Sequence, residues 1–201
     1  MTIVEDRPAA GYEAARRAMI DSQLRPSGVN ADYVLARMGT VPREDFVPAA
    51  AKGFAYVDRA IALGNGRHLG SPLFQGMILQ EARPTRSDKV LLVDGGSGYL
   101  AELVRPLVGS LEVISPEEAA APSRKRGDFS LLMIDGAIEH LPDSLVKRLA
   151  DDGRVVTGWL RGGITRLATG RKVAGTVALL PLAEMGIPVL PEFAEPKGWS
   201  F

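Results

Sequence analysis

The chain is expected to be an α/β protein with a mainly parallel sheet and an antiparallel edge near its C-terminus. Two observations carry this. Short apolar runs, KVLLVD at 89–94, SLEVI at 110–114 and FSLLMID at 129–135, alternate with segments of helical spacing and polar turns. Such alternation builds a parallel sheet through crossover connections. After the last helical segment, RVVTGWL supplies a further strand and ITRLATGRKVAGTVALLPL a hairpin, with its turn expected at Gly170 to Lys172.

Taken in order, GYEAARRAMIDSQLR at 11–25 places Ala15, Met19 and Leu24 at roughly helical spacing, and Pro26 ends that helix. A second helix is expected in NADYVLARMGTV, capped by Asn30 and packed through Val34, Leu35 and Met38. The proline-bounded VPREDFVP and AKGFAYVD form a connector anchored by Phe46, Phe54 and Tyr56. AIALGNGRHLGSP has no periodicity and holds Gly64, Gly66 and Gly70, so it reads as a loop with unusual backbone angles; FQGMILQEA returns to helix. GYLAELVRPLV is helical in pattern as far as Pro106, and PEEAAAPSRKRGD is a polar connector whose Arg124 to Arg126 form a solvated basic run. LPDSLVKRLADDG is expected to be a helix with Pro142 in its first turn and Gly153 past its end. The tail MGIPVLPEFAEPKGWSF, with three prolines, is expected to run extended over the surface, with Trp199 and Phe201 docked on the sheet.

Composition narrows the function. The chain has 201 residues, enough for one substantial core: residues 81–201 as the sheet domain, with 1–80 as helices and a substrate-side loop packed on it. Lys plus Arg equals Asp plus Glu at 24 each, so no net field favours nucleic acid or an anionic membrane. With no cysteine, thiolate catalysis and disulfides are excluded, and a reducing, cytoplasmic setting is expected. Two histidines without metal-ligand spacing predict no metal site. The N-terminal stretch is charged throughout, unlike a signal peptide, and no apolar run reaches membrane-spanning length.

In open α/β sheets ligands sit at the carboxyl ends of the strands, which directs attention to the residues after Val93, Ile114 and Ile134. After the first, Gly96, Ser97, Gly98 and Ala101 satisfy G-x-G-x-x-A between a strand and a helix. Glycines there let the backbone approach a ligand and leave helix N–H groups aimed at it. Glu112, sixteen residues beyond Gly96, is placed at the end of the next strand, where a carboxylate can accept both hydroxyls of a ribose. Asp135 ends FSLLMID, in which five of the six preceding residues are apolar, and its rival explanation is the turn chemistry of Asp-Gly. GNGRHLGSP, with Arg67, His68 and Ser71, suits a loop that folds over a peptide backbone or a carboxylate. No Ser/His/Asp triad is formed.

The order of MIDSQLRPSGV, VPREDFVP, AYVDRAIALGNGRHLGSP, KVLLVDGGSGY, LEVI and FSLLMIDGAIEHLPDSLVKRLADDGRVV resembles that of the protein-L-isoaspartate (D-aspartate) O-methyltransferase family, as a divergent, shortened bacterial member. The resemblance implies a Rossmann-like class I methyltransferase fold that binds S-adenosylmethionine and methylates the α-carboxyl of isoaspartyl residues in a peptide or protein. It assigns Asp94, Gly96, Ser97, Gly98 and Glu112 to the cofactor, Gly64, Gly66 and His68 to the substrate, and Ser71 and Asp135 to the reacting centre.

The chain departs from that pattern in three places. Leu92 stands where the family usually has an acid, Asp94 where it has a glycine, and Gly70 where it has a serine, so that Ser71 falls one place late. Only sixteen residues separate Glu112 from Phe129, too few for the usual helix, strand and adenine-contacting turn. One strand and one wall of the adenine pocket are therefore expected to be missing. These departures set the alternative, a degenerate methyltransferase fold that has lost the cofactor and acts through protein contacts. A nicotinamide-dependent enzyme ranks last, because no hydride-transfer constellation accompanies the glycine turn.

Overall fold

The structure, a computed structural model, describes residues 9–195; Trp199 and Phe201 lie outside them. Helix α1 (Ala9–Met19) continues through a π-helical turn, Ile20–Leu24, that buries Leu24. Helix α2 (Asp32–Thr40) buries Val34, Leu35 and Met38, the stripe its spacing predicts. Asn30 does not cap it. The N–H groups of Asn30 and Ala31 instead donate to Gln80 Oε1 at 2.9 and 3.0 Å, so a neighbouring side chain satisfies the donors that a cap would otherwise serve.

Two short 3₁₀ segments, Arg43–Phe46 and Ala49–Phe54, form the connector. Tyr56 is buried, and Phe46 meets Tyr99 edge-on with ring centroids 5.2 Å apart. Phe54 is no anchor: it is exposed, with the Arg59 guanidinium over its ring. The expected loop at 60–71 is largely a hairpin of strands β1 (Ile61–Gly64) and β2 (Arg67–Leu69). Its turn residues Asn65 and Gly66 have φ of 51° and 75°, the double positive φ that Asn-Gly favours. Helix α3 (Pro72–Ala82) follows, with the Ser71 hydroxyl accepting from Phe74 N–H and Pro72 in the first turn.

Strand β3 (Lys89–Val93), helix α4 (Tyr99–Val104), strand β4 (Ser110–Ile114), helix α5 (Pro116–Ala120) and strand β5 (Phe129–Ile138) come next. Among the described residues only α5 and coil connect β4 to β5, and no strand lies beyond β4, as the short spacing predicts. Helix α6 (Asp143–Val146) is a single turn, not the long helix expected of 141–153. Strand β6 (Leu149–Arg161) begins where that helix would continue, because Leu149 pairs with Phe129 and is buried against the sheet. Strands β7 (Ile164–Val173) and β8 (Thr176–Glu184) complete the edge.

The sheet order is β4-β3-β5-β6-β7-β8, with β4, β3, β5 and β6 parallel and the last two pairings antiparallel. The final turn is at Ala174 and Gly175, at φ 49° and 82°, and not at Gly170 to Lys172. Gly170 lies inside β7, where a Cβ would meet Val177 Cγ1 at 2.8 Å; it permits close approach of β8 and makes no turn.

Val90, Leu92, Leu131 and Met133 point to one sheet face, under α1 to α4, while Leu91, Val93, Leu132 and Ile134 point to the other. This period of two puts every residue of 90–93 and 131–134 into a core, which is why these stretches read as unbroken apolar runs. Residues 185–195 form a strap: Met185 and Ile187 pack with the core of the first face, whereas Leu190, whose N–H donates to Ala137 O at 2.9 Å, and the fully buried Phe193 pack on the second. No helix among the described residues is long and apolar enough to cross a membrane.

Candidate functional site

Val93 is level with Ile114 on one side and with Ile134 on the other, so Asp94, Ser115 and Asp135 share one rim at the carboxyl ends of the strands. From Asp94 the chain turns sharply into α4 through Gly96 and Gly98, at φ 107° and 73°. A carboxylate at 94 closes this turn: its oxygens accept from Gly96 N–H and Gly98 N–H, each at 3.0 Å. The Ser97 hydroxyl accepts from Tyr99 N–H at 3.2 Å and starts the helix. Burial pushes the Asp94 carboxyl upward, and those two N–H groups work against the shift.

Asp135 is buried beside it. Gln75, one turn into α3, donates Nε2–H to Asp135 Oδ1 at 2.6 Å, while Oδ2 has no partner among the described residues. Burial, and then the like charge of Asp94, push this carboxyl up to about 7, with Gln75 and Arg43 pulling it back. Gly95 is required here, because a Cβ would run into the Asp135 carbonyl. Gly70 has a similar cause: a Cβ there would lie 2.7 Å from Phe74 Cδ1 and 3.0 Å from Gln75 Nε2. Glycine at 70 thus makes room for Phe74 and Gln75.

Arg43, from VPREDFVP, braces the site from below. Its fully buried guanidinium donates to Ala55 O at 2.7 Å and to Gly70 O, and stacks 5.1 Å from the Tyr99 ring centroid. Burial holds it below the usual arginine range, with Tyr99 and Asp135 acting in the opposite sense.

Glu112 is not at the rim. It sits in β4 level with Leu91, two residues short of the strand's end, and Arg148 Nη2 donates to its carboxylate at 2.6 Å. The acid past the end of this strand is Glu117 in α5, whose helix is capped by the Ser115 hydroxyl. Arg148 also lines a cleft of about 200 Å³ with Ile114, Ala119, Pro122, Ser123 and Leu145, on the side where the adenine wall was expected to be missing.

On the other side His68 and Ser71 line an open groove of about 870 Å³ with Arg59, Thr165 and the strap residues Met185 to Val189. Gly64 and Gly66 belong to the exposed turn of the β1–β2 hairpin, at φ 98° and 75°, and neither lines this groove. The structure therefore joins Asp94, Gly96, Ser97, Gly98 and Asp135 in one place, His68 and Ser71 in another, and leaves out Glu112. Arg43, Gln75 and Glu117 were not singled out from sequence. A polar residue inside the apolar FQGMIL marked Gln75; Glu117 was hidden in a segment that reads as a polar connector.

A family profile described as Protein-L-isoaspartate(D-aspartate) O-methyltransferase (PCMT) matches residues 14–126. A protein-L-isoaspartate O-methyltransferase of Gloeobacter violaceus is 32% identical over 163 residues, covering 69% of this chain and 79% of the relative. One from Aeropyrum pernix is 36% identical over 179 residues, covering 75% and 68%. Among solved structures, one from Plasmodium falciparum, described as a β-aspartate methyltransferase (PCMT) in complex with S-adenosyl-L-homocysteine, superposes with a TM-score of 0.70. It covers 90% of this chain and 98% of its own at 16% identity, so that likeness speaks for the fold alone.

Proposed function

The chain belongs to the protein-L-isoaspartate (D-aspartate) O-methyltransferase family, and from that membership we propose that its rim takes S-adenosylmethionine while the groove at His68 and Ser71 receives an isoaspartyl residue. The observation that carries the site assignment is the pair of neighbouring carboxyls, half-buried Asp94 and buried Asp135, the latter with an unpartnered oxygen among the described residues. Two like charges at one rim are relieved by a cation, and the cofactor brings both a sulfonium and an ammonium group. The rest of the donor set matches group for group. Arg67 suits a carboxylate, Glu117 and Ser115 suit ribose hydroxyls, and the Gly96 to Gly98 turn admits close backbone approach.

When bound, S-adenosylmethionine supplies an electrophilic methyl group, and its transfer to a carboxylate leaves a methyl ester and a neutral thioether. The acceptor carboxylate is already nucleophilic, so the chain needs no general base; its work is positioning and exclusion of water. Gln75 fixes the Asp135 carboxyl, Ser71 anchors the start of the helix that carries Gln75, and Arg43 ties the 55–70 segment to the rim. His68 offers a polar edge to a peptide in the groove.

Calorimetric titration with S-adenosylhomocysteine tests the cofactor assignment. Saturable binding in the micromolar range is expected, whereas no heat of binding at millimolar ligand contradicts it. The relatives compared carry the methyltransferase name, so the non-catalytic alternative draws no support from them.

A further inference from the structure

Arg67 is the first residue of β2, and its side chain crosses the rim. The stem lies on the glycine turn: a Cβ built at Gly96 would be 3.0 to 3.2 Å from Arg67 Cγ, Cβ and Cδ. The guanidinium beyond it is mostly buried and forks onto Glu192, with Nη2 to Oε1 at 2.7 Å and Nη1 to Oε2 at 3.3 Å. Nη2 also meets the Glu117 carboxylate. One guanidinium on the floor of the rim thus holds two carboxylates supplied by the chain itself.

Glu192 is not needed to dock the strap that carries it. Leu190 and Phe193 on either side are buried, and the strap's backbone bonds run to Ala137, Glu139 and His140. Its carboxylate is spent on Arg67 alone among the described residues, and it sits there in the paired geometry that a guanidinium offers to any carboxylate. Exchanging one carboxylate for another on that fork preserves the local charge, and the freed glutamate moves from a mostly buried position into water.

We propose that Arg67 is a carboxylate receptor of the active site and that Glu192 is its internal stand-in, displaced when a ligand carboxylate arrives. This deepens the methyltransferase reading and rests on it. The ligand is an amino-acid carboxylate, either the one on the methionine part of the methyl donor or the one on the isoaspartyl acceptor. An internal competitor lowers apparent affinity by the fraction of time it occupies the receptor, so removing its charge tightens binding.

The test uses the full chain, its Glu192→Gln and Arg67→Met variants, and three readouts: the Kd of S-adenosylhomocysteine, the Kd of 5′-methylthioadenosine, which lacks the carboxylate, and KM and kcat for an isoaspartyl peptide. If the donor's carboxylate is the ligand, Glu192→Gln tightens S-adenosylhomocysteine roughly threefold to tenfold and leaves methylthioadenosine unchanged, and Arg67→Met weakens S-adenosylhomocysteine far more than methylthioadenosine, which shares only the change at Glu117. If the acceptor's carboxylate is the ligand, Glu192→Gln leaves both nucleoside affinities as they are and lowers KM, while Arg67→Met changes the two nucleoside affinities equally and raises KM with kcat little changed. Binding and turnover that are the same in all three proteins overturn the inference and leave the methyltransferase reading standing. No binding of S-adenosylhomocysteine by any of them overturns that reading and this inference together.

Discussion

Replacing Arg43 by methionine is expected to lower stability by about 2–4 kcal/mol, read from urea unfolding at neutral pH. Methionine matches the length of the arginine stem and removes a charge that burial disfavours, which offsets part of the loss. Against this, the carbonyls of Ala55 and Gly70 lose their donors inside the protein, and each orphaned acceptor costs about 1–3 kcal/mol. Arg43→Lys should restore less than half of the lost stability, because a single ammonium cannot serve both carbonyls and stack on Tyr99 as the planar guanidinium does. A methionine variant as stable as the parent would show that the brace is dispensable.

Asp135→Asn is expected to change how stability depends on pH. The native carboxyl is raised from 3.8 to about 7, so the folded protein holds this proton more tightly than the unfolded chain. Its contribution is therefore fully present below pH 4, is lost as pH rises toward 7, and is constant above that. At about 1.4 kcal/mol per unit, the loss at pH 8 is at most about 4 kcal/mol, less whatever local relaxation recovers. Asparagine cannot ionise, yet keeps an oxygen for the Gln75 donor. The variant should match the parent near pH 4 and exceed it increasingly up to pH 7, as measured by urea unfolding across that range. A gap that does not vary with pH would mean that Asp135 titrates as an ordinary exposed acid.

How far the sequence foretold the molecule depends on which force decides each segment. VLLV at 90–93 and LLMI at 131–134 are legible because a strand stretch buried on both faces must be apolar at every position. LPDSLVKRLADDG departs from its pattern: the spacing suits a helix, yet Leu149 is claimed by its partner Phe129 and the helix stops after one turn. Local propensity loses there to pairing in the sheet. The hairpin at 61–69 escaped notice because its arms are three and four residues long, too short to show alternation, although Asn65-Gly66 was the available signal.

The site divides along the same line. Gly96, Ser97 and Gly98 sit on a contiguous strand-to-helix turn, and contiguous motifs survive in one dimension. Glu112 misses the rim although SLEVI has the bounds its sequence predicts: it is the third residue of that strand, level with Leu91, and the strand ends two residues later at Ile114. Arg67 and Glu192 are 125 residues apart, and no local pattern links them.

The most direct measurement is methyl transfer from labelled S-adenosylmethionine to an isoaspartyl peptide and to its normal aspartyl twin, in the presence of the purified chain. Base-labile methyl ester on the isoaspartyl peptide and none on its twin is the predicted result. Transfer to neither peptide, or equal transfer to both, would contradict the proposed function.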